Sequence, residues 1–155
     1  MRRLNPEEVK HRDWCFPGFG VPKKNGQLRF VINFQNLNHQ LEQQEYPLTP
    51  AEKIFQLVGS FVYATSLDLN MGYLHINLAQ SACNILTVVM SFGFYECTKL
   101  PMGVMPATNI FQSRMVSVFA DMGPDKPVPY INDILISAGK TSKSILHFRR
   151  RLSHV

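Results

Sequence analysis

Hydrophobic and polar positions fall into short blocks along the chain, and the blocks change period from about two to about three and a half between punctuating glycines and prolines. Residues 1–20 mix charges and then carry Pro17, Gly18 and Gly20, which predicts a loose lead-in. Lys23-Lys24-Asn25-Gly26 follows Val21 and precedes the mainly apolar run 28–34. Its Asn-Gly pair predicts a hairpin with lysines at the tip and a strand over 28–34. Thr49 and Pro50 read as cap and first residue of a helix with Ile54, Phe55 and Val58 as its apolar side, ended by Gly59. The runs 61–69, 85–90 and 92–98 read as strands, the last two adjacent. Residues 107–122 place Ile110, Phe111, Met115, Val118 and Phe119 at helical spacing, which predicts one buried stripe, closed by Gly123-Pro124. Two short apolar runs, 128–131 and 134–137, are joined by Asn132-Asp133 as a tight hairpin, and a basic helix is expected over 141–152.

This order predicts an α+β fold, with helices packed on an antiparallel sheet, a pattern that several folds share. The 155 residues are 45% hydrophobic and 17% charged, the profile of one folded domain rather than a disordered tail. The net charge of +5 favours phosphate-bearing or acidic partners without identifying one. Acidic Glu7 and Glu8 stand where a signal peptide needs an apolar run, so secretion is not indicated. The longest stretch free of Asp, Glu, Lys and Arg, 69–95, is interrupted by Asn70, His75, Asn77, Gln80, Ser81 and Asn84, so no membrane span is expected. Cys15, Cys83 and Cys97 are odd in number and widely spaced, which fits a reduced intracellular compartment better than a disulfide framework.

Five residues are aspartates, and two stand inside apolar, strand-like runs: Asp68 in Thr65-Ser66-Leu67-Asp68-Leu69, and Asp133 in Tyr130-Ile131-Asn132-Asp133-Ile134-Leu135. A carboxylate among strands needs hydrogen bonds, a cation or a metal ion to offset desolvation, and two on neighbouring strands would make a divalent-metal site. The plainer alternative is that Asp68 caps the turn before Asn70-Met71-Gly72 and that Asn132-Asp133 are ordinary hairpin residues.

A series of motifs, in order, resembles the reverse transcriptases of gypsy-type long-terminal-repeat retrotransposons over about residues 16–150. Lys23-Lys24-Asn25-Gly26 with Arg29 and Asn33-Phe34-Gln35-Asn36-Leu37-Asn38 is similar to the fingers motif, a lysine-rich turn followed by R-x-x-x-D-(F/Y)-R-x-L-N. Tyr46-Pro47-Leu48 resembles its Y-P-(L/I) link, and Ser66-Leu67-Asp68-Leu69-Asn70-Met71-Gly72-Tyr73 resembles the palm motif S-L-D-L-x-x-G-Y. Leu100-Pro101-Met102-Gly103 with Phe111-Gln112 resembles L-P-(F/M)-G followed by F-Q. Tyr130-Ile131-Asn132-Asp133-Ile134-Leu135 matches Y-I-D-D-(I/L)-L except at Asn132.

The resemblance implies template-directed DNA synthesis from RNA or DNA by two Mg²⁺ ions, with Mn²⁺ able to substitute. It implies a lead-in over 1–20, a fingers part over 21–60, a palm core over 61–140 and a basic C-terminal helix over 141–155, truncated before a thumb. Asp68, the backbone carbonyl of Leu69 and Asp133 would hold metal. Lys23 or Lys24 with Arg29 would grip the deoxynucleoside triphosphate, Tyr73 would exclude a ribose 2′ hydroxyl, and Met102 and Gly103 would lie beneath the nucleotide. Plainer readings stand beside these: a solvated lysine turn, a core tyrosine, a simple Pro-Met-Gly loop. Arg149-Arg150-Arg151 is either a template contact or a solvated basic helix end.

Three departures stand against full activity. Asn132 occupies the position of the second metal-bridging aspartate, Asn33 that of the fingers aspartate, and Gln35 that of an arginine. An amide in place of a carboxylate removes a negative charge from a site for two dications, so little or no polymerisation is expected. Each departure is one G-to-A change from the family's residue, which is the signature expected of a decayed copy. The competing reading is a non-catalytic protein of the same fold that binds template-primer or pairs as a subunit with an intact polymerase. A third, a single RNA-recognition motif, rests only on the faint RNP1-like Ser91-Phe92-Gly93-Phe94-Tyr95.

Overall fold

In the computed structural model, which describes residues 1–42, 51–58, 61–122 and 127–138, the strand-forming runs build two separate sheets. The sheets belong to two units, one from residues 1–43 and 73–107 and the other from 44–72 and 108–155.

The first unit begins in regular structure. β1 (Arg2–Arg3) pairs antiparallel with β6 (Gly93–Glu96), and α1 (Pro6–Lys10) follows. Asn5 caps α1 by accepting from the Glu8 backbone N–H at 2.8 Å, and the Glu8 carboxylate accepts from the Asn5 N–H at 2.9 Å, a reciprocal capping box with Pro6 in the first turn. The loose lead-in expected over 1–20 is therefore corrected. What orders it is long-range: Leu4 and Phe16 are buried, and Glu96, 2% exposed, accepts from Arg2 Nε at 2.6 Å and Arg12 Nη2 at 2.7 Å. Local periodicity carries no trace of partners more than 80 residues away.

β2 (Phe16–Pro22) and β3 (Leu28–Ile32) form the expected hairpin, with β3 two residues shorter than the run 28–34. Gly26 takes φ +78°, its N–H donates to the Lys23 carbonyl, and the Lys23 N–H donates to the Gln27 carbonyl. That is a three-residue loop with glycine in the left-handed position. β5 (Thr87–Met90) and β6 are neighbours, as expected. β5 also pairs in parallel with the start of β2, giving the order β1-β6-β5-β2-β3. Besides α1, the sequence pattern does not predict two further short helices, α2 (Gln35–Asn38) and α4 (Gln80–Ile85), the latter taking the start of the run 85–90. Phe16, Phe34, Leu37, Val88 and Leu100 form much of the core, with Phe16 edge-on to Phe34 at 5.0 Å.

In the second unit α3 (Ala51–Val58) buries Ile54. β4 (Tyr63–Asp68) pairs with β8 (Asp133–Ala138), which pairs with β7 (Val128–Tyr130), all antiparallel. α5 (Ala107–Phe119) packs Phe119 and Met115 against Ile134, Ile136, Leu67 and Leu69. The predicted stripe is corrected at two places: Ile110 is 39% and Val118 51% exposed, and the buried side runs through Phe111, Gln112 and Phe119. The stripe follows a four-residue step from Phe111, which leaves Ile110 and Val118 to one side. The expected cap at Thr49-Pro50, the stops at Gly59 and Gly123-Pro124, the link Tyr46-Pro47-Leu48 and the helix 141–152 with its arginines lie outside the described residues. No helix among the described residues is long and apolar enough to cross a membrane.

Candidate functional site

The three-stranded sheet sorts its residues by the pleat. Leu67 stands directly opposite Ile134, and both face the core under α5. The next rung is Asp68 opposite Asp133, and the period of two turns it to the other face, where both side chains are exposed. Directly opposed residues have Cβ atoms about 5 Å apart, and like charges so placed repel. Such a rung is unfavourable by itself and favourable around a cation.

The hairpin that brings Asp133 to this rung turns one residue earlier than expected. Tyr130 pairs with Asp133, so Ile131-Asn132 is the two-residue tip, and Asp133 opens β8 instead of forming the tip. Ile131 takes φ +55°, a left-handed backbone that a β-branched residue rarely adopts and that costs about 1–2 kcal/mol. The Asn132 carbonyl accepts from the Leu69 N–H at 2.8 Å, which carries the ladder one step past Asp68. The Asn132 side-chain Oδ1 is buried without a hydrogen-bond partner among the described residues. A buried acceptor without a donor is costly, and its ordinary resolution is a water or a cation.

The oxygen set fits a hard divalent ion in kind: two carboxylates and an amide oxygen next to one of them. It falls short in charge. No cluster of three His, Cys, Asp or Glu side chains occurs among the described residues, and the residue before Asp133 is an amide, Asn132.

Beyond the rung, Gly72 lies where an added Cβ would meet the Phe111 ring at 2.7 Å, so the chain leaving β4 passes against α5 only because this residue lacks a side chain. Gln112, beside Phe111, is 5% exposed and bonds to the backbone on both sides of Tyr130. Apart from the F-Q resemblance, nothing in the sequence marked it for a role.

The remaining candidate residues lie in the first unit. Lys23, Lys24 and Arg29 are all exposed on the β2–β3 hairpin. Lys23 faces Gln27 and Val21 faces Arg29, so Lys23 and Arg29 share one face of the ribbon, two exposed cations with no ion-pair partner among the described residues. Gly103 takes φ +96° and Met102 is 44% exposed. Their loop is held by Asn38, which donates to the Gly103 carbonyl at 2.8 Å and accepts from the Met105 N–H at 2.9 Å. Asn38 is the last residue of the fingers-like motif; its clamp on a segment 65 residues away is a long-range fact that the motif does not carry. Tyr73, in a single 3₁₀ turn (Gly72–His75), is 5% exposed.

No family model matches the chain. It is 30% identical over 122 residues, 75% of its length, to the retrovirus-related Pol polyprotein from transposon 412 of Drosophila melanogaster. It is also 30% identical over 129 residues, 83% of its length, to that from transposon gypsy of the same organism. The Tf2-3 transposon polyprotein of Schizosaccharomyces pombe is 28% identical over 133 residues. The chain spans about a tenth of the length of these relatives, 10%, 12% and 10% respectively. The prototype foamy virus protease-reverse transcriptase superposes with a TM-score of 0.78 at 18% identity, covering 97% of this chain and 19% of that one. A foamy viral protease-reverse transcriptase in complex with double-stranded DNA gives 0.80 at 17% identity, covering 97% and 25%. Ordered motifs, a paired-aspartate sheet and these likenesses agree: the chain belongs with the Pol polyproteins of gypsy-type retrotransposons, and its fold is that of a reverse transcriptase.

Proposed function

We propose that this chain is the fingers and palm portion of an RNA-directed DNA polymerase, with its metal centre at Asp68 and Asp133 and its nucleotide grip at Lys23, Lys24 and Arg29. The observation that carries the reading is the Asp68–Asp133 rung, two exposed carboxylates opposed on the face of the sheet away from the core. Bound there, Mg²⁺ would supply Lewis-acid chemistry, activating a primer 3′ hydroxyl and offsetting triphosphate charge. Asp68 and Asp133 would hold the ions, with the Leu69 carbonyl as a further hard oxygen. Lys23 and Arg29, exposed on one hairpin face, would bind and orient triphosphate oxygens. Gly103 would let the backbone approach the nucleotide beside Met102, and Tyr73 would discriminate at the sugar. Template-primer, RNA or DNA, would be the macromolecular partner; one structural relative is solved with double-stranded DNA.

Asn132 sets the level of activity. A neutral amide leaves two carboxylates for two dications, and the chain is expected to bind the ions weakly and to polymerise little or not at all. That same residue favours a second reading, a non-catalytic binding protein or subunit of the same fold.

The test is Mg²⁺-dependent primer extension on an RNA template by the chain, its Asn132→Asp variant, and Asn132→Asp combined with Asp68→Asn. Extension by Asn132→Asp alone supports the polymerase reading. Salt-sensitive template-primer binding with no extension by any of the three favours the binding-only reading.

A further inference from the structure

We propose that Asn25 is a site of spontaneous chemical modification, at which the Gly26 backbone nitrogen attacks the Asn25 side-chain amide and the hairpin tip converts itself to aspartate or isoaspartate. Ten asparagines occur in the chain, and Asn25 is the one followed by glycine. The attack joins the Gly26 nitrogen to Asn25 Cγ and closes a succinimide ring. The nitrogen gives its proton to solvent, and the side-chain NH₂ takes one up and leaves as ammonia. Water then adds to one of the two ring carbonyls and breaks its bond to the nitrogen. Opening at Cγ gives aspartate; opening at the main-chain carbonyl gives isoaspartate, in which the chain runs through the side-chain carbons. The only co-reactant is water.

The tip favours ring closure in all but one contact. Gln27 holds both polar atoms of the amide: its N–H donates to Asn25 Oδ1 at 3.2 Å, and its Oε1 accepts from Asn25 Nδ2 at 3.2 Å. The first bond reaches the oxygen on which negative charge gathers as Cγ becomes tetrahedral, so it favours the transition state. Lys23 and Lys24 precede the amide, and cations nearby favour the anionic form of the attacking nitrogen. Asn25 and Gly26 are exposed, and a Cβ at Gly26 would meet nothing within 4 Å, so water reaches the site. The opposing contact is the Gly26 N–H, which donates to the Lys23 carbonyl at 3.0 Å and must open before the nitrogen attacks. It lies at an exposed loop tip, where opening costs little.

The product alters the cation face of the hairpin, a consequence that rests on the nucleotide-grip reading above. The Lys23 N–H donates to the Gln27 carbonyl at 2.7 Å, which closes the loop around Lys24, Asn25 and Gly26. Aspartate keeps the loop length and adds a negative charge beside two lysines. Isoaspartate also adds a main-chain carbon to a loop with no slack, and so takes Lys23 out of register with Arg29.

The test incubates the folded chain and its Gln27→Ala variant at mildly basic pH, each also unfolded in urea. Residue 25 is followed by peptide mass spectrometry with separation of the aspartate and isoaspartate forms. Conversion is expected to concentrate at Asn25, and the folded and unfolded chains to react at rates within about three-fold, because the opposing bond and the bond to Oδ1 are of similar worth. Gln27→Ala is expected to slow the folded chain about three-fold by releasing the amide, and to leave the unfolded rate unchanged. A folded rate about ten-fold or more below the unfolded one, conversion mainly at another asparagine, or a folded rate unmoved by Gln27→Ala would overturn the proposal. Titration with a deoxynucleoside triphosphate reads the consequence: Asn25→Asp is expected to weaken binding about two-fold, and chain enriched in isoaspartate about ten-fold. Equal affinities of fresh and isoaspartate chain would overturn the link to the cation face. If the fresh chain binds no triphosphate, the nucleotide-grip reading fails by itself and the mass measurement still decides the fate of Asn25.

Discussion

Replacing Asn132 by aspartate is the perturbation with the clearest two-sided consequence. The variant adds a third carboxylate beside the Asp68–Asp133 rung. At about 5 Å, with an effective dielectric between 20 and 80 for exposed groups, each added like-charge pair costs about 1–3 kcal/mol. In chelator the Asn132→Asp chain, with two such pairs, is therefore expected to be less stable than the parent by at least about 2 kcal/mol, lowering Tm by at least about 4–8 °C for a chain of this size. A dication reverses the sign, since its attraction to the new charge is twice that of a unit charge and acts at a metal–oxygen distance of about 2 Å, less than half the separation of the carboxylates, so it outweighs the two repulsions. The net gain, about 1.4 kcal/mol, corresponds to about ten-fold tighter binding. The buried Asn132 Oδ1 adds to the argument, because the parent leaves that oxygen without a donor and the variant offers it a cation. The assay is thermal unfolding with and without Mg²⁺, together with calorimetric titration of Mn²⁺. A variant as stable as its parent in chelator, with unchanged Mn²⁺ affinity, would refute the placement of residue 132 at the metal.

Glu96→Gln is expected to cost about 3 kcal/mol by denaturant unfolding, because it strips the charge from a buried acceptor shared by Arg2 and Arg12. The hydrogen bond from Arg2 holds the Glu96 carboxyl below its ordinary value of 4.5, so its stabilisation is full above that pH and is lost as the pH falls through the lowered folded value. The parent should thus lose stability on acidification below about pH 4 more steeply than Glu96→Gln, and parallel pH profiles would refute the assignment. Gly72→Ala drives a methyl to 2.7 Å from the buried Phe111 ring and should lower stability by about 1–3 kcal/mol, read by urea unfolding. Lys23→Ala with Arg29→Ala should weaken triphosphate binding about ten-fold or more and flatten its salt dependence, measured by nucleotide titration; an unchanged slope would remove the hairpin from the site.

What the sequence made legible was what local chemistry controls. Asn25-Gly26 announced the β2–β3 hairpin because a left-handed glycine is required there, and the structure has it at φ +78°. The largely apolar run that holds Asp68 and the apolar run after Asp133 announced two strands, and the structure pairs those strands with the two aspartates directly opposite each other. The illegible parts are long-range. Asn132-Asp133 reads as the hairpin tip because both residues favour turns, whereas the pairing of Tyr130 with Asp133 puts the tip at Ile131-Asn132, with Ile131 at φ +55° and its N–H bonded to Gln112 on α5. The lead-in looked frayed because Glu96, which orders it, is far along the chain. Asn38 and Gln112, both amides clamping backbone on remote segments, carry no composition or period that distinguishes them from any surface amide. The exposed Ile110 and Val118 show the converse error, apolar residues at helical spacing that do not face the core.

The central claim, that the opposed pair of aspartates is the metal centre, is tested most directly by paramagnetic mapping. Mn²⁺ titrated into isotope-labelled chain should selectively broaden the amide signals of Asp68, Leu69, Asn132 and Asp133, and Mg²⁺ should restore them by competition. Broadening centred elsewhere, or unchanged by Asp68→Asn, would contradict it.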